Sequence, residues 1–189
     1  MIKQRIKESI QVKELLLQND ELVNTISEVS EAITSCFQLK GKVLFCGNGG
    51  SAADAQHLAA ELSGRFYFDR QPLDAEACHV NTSFMTAVAN DYDFNTVFAR
   101  YIEASGKPGD IVVGLSTSGN SKNIIQALIK AREIGMKTVA FTGDSGGKLK
   151  DMADFLLNMP SSDTPRIQEA HILVGHIICE MVEQNLFGK

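Results

Sequence analysis

The sequence predicts an α/β protein: a three-layer α/β/α sandwich with a mainly parallel sheet, preceded by amino-terminal helices. Three observations lead to this prediction: short apolar runs that end near Gly, Ser or Thr, helical patterns between these runs, and an amphipathic segment ahead of the first run. Strands that alternate with helices along a chain form parallel sheets covered on both faces. Such sheets bind ligands at the carboxyl ends of their strands. The loops that follow the strands are therefore the first candidates for a site.

Residues 3–40 have the pattern of two amphipathic helices. Apolar residues recur there at three- and four-residue steps, with a break at Asn19-Asp20. An apolar stripe on such helices covers either the domain's own sheet or a partner subunit. With 189 residues and 44% hydrophobic content, the chain is long enough for one buried core and short for two. We expect a single domain over residues 1–189, with residues 1–40 as a helical extension that packs on the domain and on partner subunits.

Apolar runs and helical patterns alternate after residue 41. The buried strands are predicted at residues 42–46, 110–115, 137–141 and 155–159. Residues 76–80 supply a further candidate, which is short and includes His79. Helices are predicted at residues 52–64, 120–135 and 164–184. This alternation predicts the layered parallel sheet.

Composition and charge argue against several classes of protein. Lys and Arg number 18 against 23 Asp and Glu, which gives a net charge of -5. A nucleic-acid binder usually carries a basic face, so this acidic balance argues against that class. No apolar stretch approaches the roughly 18 residues of a membrane span, and the amino terminus is too charged for a signal peptide. The cysteines are widely spaced among apolar residues, which is typical of buried free thiols: Cys36, Cys46, Cys78 and Cys179. We expect a cytoplasmic protein without nucleic-acid or membrane partners.

The loop at residues 47–51, Gly-Asn-Gly-Gly-Ser, follows the first predicted strand and is called the glycine loop below. Its glycines let the backbone approach a ligand closely where a helix begins, and a helix start favours anions. The spacing Gly-x-Gly-x-x-Ala also satisfies the loose dinucleotide fingerprint, but that fingerprint needs an acidic residue after the second strand, where His79 and its neighbours stand. Residues 142–149 resemble a nucleotide P-loop only superficially, because the glycine spacing differs and no Ser or Thr follows Lys148.

The loop at residues 116–121, Ser-Thr-Ser-Gly-Asn-Ser, is called the serine loop below. It places four hydroxyls beside the start of another predicted helix. Hydroxyls and free backbone N–H groups together can hold several phosphate oxygens without a cation from the protein. Capping of the helix by one serine is the simpler explanation, yet capping does not require four hydroxyls. The serine loop therefore indicates a site for a small phosphorylated ligand.

Two pairs of side chains on predicted helices could perform chemistry beside these loops. His57 and Glu61 are four residues apart and share a helix face. Gln168 and His176 lie two turns apart on the last helix, about 80° around its axis at roughly 100° per residue. Two imidazoles, a carboxylate and an amide oxygen form a donor set for zinc or another divalent ion.

Each of these residues also has a simpler explanation. A lone His57 or His176 is more often a satisfied histidine in a helix interface. Glu61 could be a solvated partner of Arg65, four residues further on. The remaining histidines, His79 and His171, are interpreted as structural.

Longer motifs resemble a known family. The segments FCGNGGSAADAQHLAAELSGR and VGLSTSGNSKNII resemble the sugar isomerase (SIS) domain. Together with ANDYDF and RIQEAHILVGHIICEMVE, they are similar to the phosphoheptose isomerases over nearly the whole chain. The resemblance implies the SIS fold and a homotetramer. It also implies conversion of sedoheptulose 7-phosphate to D-glycero-D-manno-heptose 7-phosphate for bacterial lipopolysaccharide, capsule or related heptose pathways.

The resemblance further implies roles for residues at the matching positions. Glu61 and His176 become the acid/base pair. One zinc ion per subunit is implied, with the ligands His57, Glu61, Gln168 and His176. Substrate contacts are implied at Asn48, Gly49, Gly50, Ser51, Glu61, Asn90, Asp91, Ser116, Thr117, Ser118, Ser121 and Gln168. Asn90 and Asp91 could instead be turn residues at the end of a helix. Arg65 and Arg166 are candidates for auxiliary cations.

Two other hypotheses stay open beside this enzyme. A non-catalytic SIS protein that binds a phosphosugar or a replication initiator would share both loops, although the presence of Glu61, Gln168 and His176 favours catalysis. An isomerase of another phosphorylated ketose would share the chemistry as well, because the sequence does not measure the length of the pocket.

Overall fold

The computed structural model describes residues 1–188 and begins with two helices, α1 (Ile2–Leu17) and α2 (Asp20–Gln38). They are separated at Asn19, whose side-chain oxygen accepts a hydrogen bond from the backbone N–H of Leu22 at 3.1 Å. An asparagine at this position satisfies one of the free N–H groups in the first turn of a helix. The predicted pair of helices and the break between them are confirmed.

Five parallel strands form one sheet in the order β2-β1-β3-β4-β5. The strands are β1 (Val43–Gly47), β2 (Ala75–Ala77), β3 (Ile111–Leu115), β4 (Lys137–Thr142) and β5 (Phe155–Asn158). The bounds of the four strands predicted as buried are confirmed to within a residue at each end, although in β5 Leu157 alone is buried. The candidate at residues 76–80 is wrong in its second half. The N–H of Cys78 donates to the carbonyl of Phe45 at 2.8 Å, and the chain then leaves the sheet before His79.

Helices cover both faces of the sheet. They are α3 (Gly50–Ser63), α4 (Thr82–Asp91), α5 (Val97–Ser105), α6 (Lys122–Ile134) and α7 (Thr164–Phe187). Successive side chains of a strand point to opposite faces, so Phe45 of β1 packs with α1, α2, α3 and α7, while Leu44 packs with α4, α5 and α6. The predicted α/β/α sandwich is confirmed, with α5 as an element that the sequence patterns do not predict.

The strand order positions the two loops. β1 and β3 are neighbours with Gly47 opposite Leu115, so the glycine loop and the serine loop leave the same edge of the sheet side by side. From this pair the chain adds β2 on one side and β4 and β5 on the other. Such a reversal of strand order opens a crevice at the carboxyl ends of the strands, where ligands of open α/β sheets bind.

The apolar stripe of α1 is only partly covered. Val12 and Leu16 are buried against the domain, whereas Ile2, Ile6 and Ile10 are 78%, 55% and 50% exposed. All four cysteines are buried and free, as predicted. Among residues 1–188, no helix combines the length and the apolar character that crossing a membrane requires.

His171 lies inside the core of the sandwich and has the structural role predicted for it. Its Nε2 atom lies 3.0 Å from the carbonyl oxygen of Thr142, which can only accept, so Nε2 carries the proton. The ring packs edge-on against Phe141, with centroids 5.5 Å apart. Burial lowers the pKa of His171 from 6.5 to about 4, with the hydrogen bond to Thr142 acting weakly in the other direction. The native protein therefore holds this imidazole neutral.

Acid should destabilise the protein through His171. In the unfolded chain the imidazole binds a proton near pH 6.5, whereas the folded protein resists doing so until about pH 4. The stability due to neutral His171 is thus complete above pH 6.5 and is lost progressively as the pH falls to about 4, by up to about 3 kcal/mol. Urea unfolding of the wild type and of His171→Gln at pH 7.5, 5.5 and 4.5 measures this. The variant should lose less unfolding free energy over that range, and parallel losses in the two proteins would contradict the prediction.

Candidate active site

The glycine loop brings backbone N–H groups to the carboxyl end of β1. Gly49 has φ +56°, a conformation that glycine adopts without strain. Gly47 is equally constrained, because a Cβ there would lie 2.3 Å from the carbonyl oxygen of Ser51. α3 begins at Gly50, and the N–H groups of Ser51, Ala52 and Ala53 donate to the carbonyls of Asn48 and Gly49, which closes its first turn. The backbone of Gly47 and Gly49 therefore requires glycine at the carboxyl end of β1, and a role of this loop in ligand binding stays a prediction.

The serine loop contains hydroxyls that take no part in capping α6. Ser116 and Ser121 approach each other with their Oγ atoms 2.9 Å apart. Ser121 is the N-cap residue of α6, yet its side chain makes no capping hydrogen bond. The Ser118 hydroxyl is exposed and accepts a bond from the N–H of Asn120 at 3.2 Å. Helix capping thus does not account for the Ser116 and Ser121 hydroxyls, which favours the interpretation of the loop as an anion site.

The segment at residues 142–149 packs against the backbone of the serine loop. A Cβ on Gly119 would lie 2.1 Å from the carbonyl oxygen of Gly146, so the two backbones touch. The N–H of Leu149 donates to the carbonyl of Gly119 at 3.1 Å, and the N–H of Lys148 donates to the side chain of Asn120 at 3.1 Å. Residues 142–149, which resemble a P-loop superficially, therefore have a structural role: they hold the serine loop in place.

A reciprocal amide pair joins the two loops. Asn48 Nδ2 donates to Asn123 Oδ1 at 2.9 Å, and Asn123 Nδ2 donates to Asn48 Oδ1 at 2.8 Å. Asn123 is buried in the first turn of α6. Sequence reasoning misses Asn123, and its only local signal is a polar residue at a buried helix position. The pair fixes the glycine loop relative to the helix that begins after the serine loop.

His57, Glu61 and His176 come together between α3 and α7. His57 Nε2 lies 2.9 Å from His176 Nε2 and 3.2 Å from Glu61 Oε1. One donor atom from each of the three residues falls within 4.8 Å of the others. The helices approach closely here because the residue before His176 is Gly175, where a Cβ would lie 2.5 Å from a methyl carbon of Leu58. Within the described residues Glu61 pairs with His57 rather than with Arg65, so that simpler explanation of Glu61 is not supported.

Gln168 lies beside the glycine loop. Its amide nitrogen is 2.4 Å from the position that a Cβ on Gly50 would take, so Gly50 makes room for it. Gln168 and His176 are separated by about 12 Å along the axis of α7, at 1.5 Å per residue. The structure thus joins three of the four predicted metal ligands, and the role of Gln168 as the fourth stays a prediction.

Asn90 and Asp91 are exposed at the end of α4, where Asn90 Nδ2 donates to Asp91 Oδ1 at 2.8 Å. The segment that follows lies near the serine loop. Hydrogen bonds from the backbone and side chain of Asn95 lower the pKa of Asp93, and the charge of Lys122 at the start of α6 acts in the same direction. A contact between Asn90, Asp91 and a sugar stays a prediction.

The two predicted auxiliary cations differ in their surroundings. Arg65 is exposed beyond the end of α3. Arg166 donates to the carbonyl of Arg5 at 2.9 Å and so joins α7 to α1. It also pairs with Glu169 on its own helix. A structural role fits Arg166 better than a contact with a ligand.

His79 is half-buried next to the start of α3, and burial lowers its pKa.

Comparison with known proteins identifies the family. The SIS domain family matches residues 10–143 of the chain. The phosphoheptose isomerase of Clostridium acetobutylicum is 50% identical over 188 residues, which is 100% of this chain and 96% of the relative. That of Mycobacterium tuberculosis is 52% identical over 181 residues, 96% of this chain and 92% of the relative. The structure of a phosphoheptose isomerase from Neisseria gonorrhoeae matches with a TM-score of 0.90 at 42% identity and covers 97% of this chain and 100% of its own. The chain therefore belongs to the phosphoheptose isomerases, a family of SIS-domain enzymes.

Proposed function

We propose that the protein converts sedoheptulose 7-phosphate to D-glycero-D-manno-heptose 7-phosphate and so supplies heptose precursors for bacterial lipopolysaccharide or capsule. The observation that carries this proposal is the cluster of Glu61, His57 and His176 on the two helices that flank the glycine loop. A carboxylate beside imidazoles, on two helices whose first turns lie at the glycine loop, matches the needs of an aldose–ketose isomerase.

The reaction moves two protons. One proton leaves carbon 1 of the ketose, next to the carbonyl carbon 2, and the electron pair forms the double bond of an enediol while the carbonyl oxygen gains a proton. A proton then returns to carbon 2 as the hydroxyl proton of oxygen 1 is removed, which leaves the aldehyde. We assign Glu61 and His176 to these transfers, one for the carbon-bound proton and the other for the oxygens.

The rest of the site would hold the substrate. The serine loop would bind the phosphate through the hydroxyls of Ser116, Thr117, Ser118 and Ser121 and the N–H groups at the start of α6. Asn48, Gly49, Gly50, Ser51 and Gln168 would contact the sugar near carbons 1 and 2, and Asn90 and Asp91 would bind its hydroxyls. The lack of a capping bond from Ser121 and the amide pair at Asn48 support this arrangement.

The donor set fits zinc. Two imidazole nitrogens and a carboxylate oxygen that already converge match the ligands of catalytic zinc, and the amide of Gln168 is the proposed fourth ligand. A bound zinc ion would polarise the carbonyl group and stabilise the charge that develops on its oxygen. Because a carboxylate that holds a metal is a weaker base, Glu61 has to serve one of these roles at a time.

We expect one Zn²⁺ ion to bind per subunit. Loss of one of a small number of protein ligands should weaken the affinity by at least about 100-fold, more than is typical for a residue that only supports a ligand. Calorimetric titration of the wild type and of His57→Ala with Zn²⁺ measures this, and His79→Ala is the matched control at a histidine outside the cluster. Equal affinities of His57→Ala and the wild type would contradict the assignment.

We also infer a cytoplasmic homotetramer, in which the exposed stripe of Ile2, Ile6 and Ile10 would pack on another subunit. Its support is the size of these side chains and their helical spacing, since apolar rows of this kind mark interfaces. The single domain over residues 1–189, with residues 1–40 as its helical extension, is part of the same proposal.

The test of the function is direct. Purified protein is incubated with sedoheptulose 7-phosphate, with and without Zn²⁺, and formation of the aldoheptose phosphate is followed by NMR. Turnover is the expected result. Binding of the phosphosugar without turnover would instead support a non-catalytic SIS protein, and faster turnover of a five- or six-carbon ketose phosphate would change the substrate.

A further inference from the structure

A buried ion pair lies just beyond the candidate active site. Arg70 Nε and Glu183 Oε1 are 2.8 Å apart, and the two side chains are 2% and 1% exposed. Arg70 lies in the loop at residues 64–71, called the α3 exit loop below, and Glu183 lies on α7. Charges are seldom buried to this extent unless every polar atom has a partner. The partners of this pair connect it to both catalytic helices.

Glu183 holds the α3 exit loop by its backbone. Its carboxylate accepts the N–H groups of Phe66, Tyr67 and Phe68 at 3.0, 2.7 and 2.9 Å. Consecutive N–H groups that converge in this way form an anion site, which here is filled by the protein's own side chain. Burial alone would raise the pKa of Glu183, but the bonds from these N–H groups and from Arg70 outweigh it and lower the pKa. Glu183 is therefore an anion at neutral pH.

Arg70 caps the helix that carries Glu61. Its Nη2 atom donates to the carbonyl of Glu61 at 2.9 Å, and Nη1 donates to the carbonyls of Leu62 at 2.8 Å and Gly64 at 3.2 Å. The last carbonyls of a helix lack partners within it, and a cation there is favoured by the helix dipole. The guanidinium thus binds the backbone of the residue whose carboxylate belongs to the cluster.

Glu183 is also tied to His176. The two residues are two turns apart on α7 and share its face toward α3. Phe66, whose N–H is bound by Glu183, lies against the His176 ring with centroids 5.7 Å apart. One buried pair therefore contacts the backbone of Glu61 directly and His176 through one intervening ring.

We propose that Arg70 and Glu183 are positioning residues that fix the separation and orientation of Glu61 and His176. They join α7 to the end of α3 two turns beyond His176, and a small relative shift of the two helices would separate the side chains of Glu61 and His176. This inference rests on the proposed function, because it gives the pair a purpose only if Glu61 and His176 act together. Misplacement of catalytic groups by about 1 Å can cost about 100-fold in rate.

The decisive comparison is between Glu183→Gln and a matched control, Asp110→Asn. Asp110 is also buried, at 3% exposure, and its carboxylate accepts the N–H groups of Lys42 and Lys107, each at 2.9 Å. It lies at the start of β3, at the edge of the sheet opposite the active site. Both variants should lower Tm. At a temperature where both remain folded, Glu183→Gln should lower kcat by about 10- to 100-fold with little change in KM, while Asp110→Asn should leave kcat unchanged.

A second variant keeps the ion pair and removes the ring that lies between Glu183 and His176. Phe66→Leu should lower kcat in the same direction and by a smaller factor, measured at a temperature where the variant remains folded, because Phe66 also packs on the core. Equal kcat values for Glu183→Gln and Asp110→Asn, after correction for the folded fraction, would overturn the proposal and leave the pair with a purely structural role.

A readout without turnover separates this proposal from the proposed function. In NMR spectra of the protein labelled with ¹⁵N at histidine, Glu183→Gln should shift the ring resonances of His176 and leave those of His171 in place. The Asp110→Asn spectrum should match the wild type at both rings. If the wild type shows no turnover but these shifts occur, the function fails and the positioning survives. If His176 is unmoved in Glu183→Gln, the positioning is wrong whatever the activity.

Discussion

Replacement of Glu61 by glutamine should lower kcat for the conversion of the ketose phosphate by about 10²- to 10⁴-fold, with KM nearly unchanged. The amide has the shape of the carboxylate and can still hydrogen bond to His57, whose Nε2 lies 3.2 Å from Glu61 Oε1 in the wild type. It cannot take a proton and return it. The substrate should therefore bind and fail to react, which progress curves over a range of sedoheptulose 7-phosphate concentrations, at saturating Zn²⁺, measure.

The control for this variant is Glu180→Gln, an exposed carboxylate on α7 one turn from His176, which should keep the wild-type kcat. Turnover by Glu61→Gln within about threefold of the wild type would exclude a proton-transfer role for Glu61. Exchange of the carbon 1 proton with deuterium from the solvent adds a second measurement. Of Glu61→Gln and His176→Gln, the variant that loses this exchange while the other retains part of it identifies the residue that acts on carbon.

Burial explains which elements of the fold the sequence predicts well. β1 and β3 are buried along their whole length, so their apolar runs are continuous and stand out. β2 is a three-residue edge strand in which Ala77 alone is buried, and its alternative continuation through His79 looks equally strand-like in the sequence. α5 spans nine residues, which is too few turns for a helical period to be distinct.

The candidate site divides in the same way between local and distant features. The glycine and serine loops and the spacing of His57 and Glu61 are local, so residue chemistry alone points to them. The approach of His176 to this pair depends on how α3 and α7 pack, and the family resemblance is what predicts it from the sequence. Asn123 and Arg70 bond to partners 75 and 113 residues away. A single polar residue whose partner is so distant leaves no periodic trace, so these contacts emerge only from the folded chain.

These contacts fix two different parts of the site. The amide pair of Asn48 and Asn123 fixes the loops where the substrate would be held, while Arg70 and Glu183 fix the helices where protons would move. The side chains of Asn123, Arg70 and Glu183 are buried, and none of the three is assigned a contact with the substrate. Buried residues outside the site thus fix the positions of the side chains within it. Side chains that are locked by packing and hydrogen bonds hold a site more precisely than mobile loops do.

Removal of the Ser116 and Ser121 hydroxyls together should lower kcat/KM for sedoheptulose 7-phosphate by about 10²- to 10⁴-fold. A hydrogen bond to a charged group contributes about 1.5–3 kcal/mol, so two contribute about 3–6 kcal/mol, and each 1.4 kcal/mol is tenfold. Both serines can be replaced by alanine without loss of a helix cap, because Ser121 makes no capping bond to α6. Steady-state kinetics of the double variant measure the effect, with Ser35→Ala on the exposed side of α2 as the control substitution.

The unphosphorylated ketose sedoheptulose shows whether these hydroxyls act on the phosphate itself. The wild type should use this sugar poorly, and the double variant should use it no worse than the wild type does, because the group that the hydroxyls bind is absent. The preference for the phosphorylated substrate should therefore shrink by the same factor as kcat/KM. An equal loss on both sugars would instead mean that Ser116 and Ser121 support the shape of the loop, and phosphate recognition would then rest on the N–H groups at the start of α6.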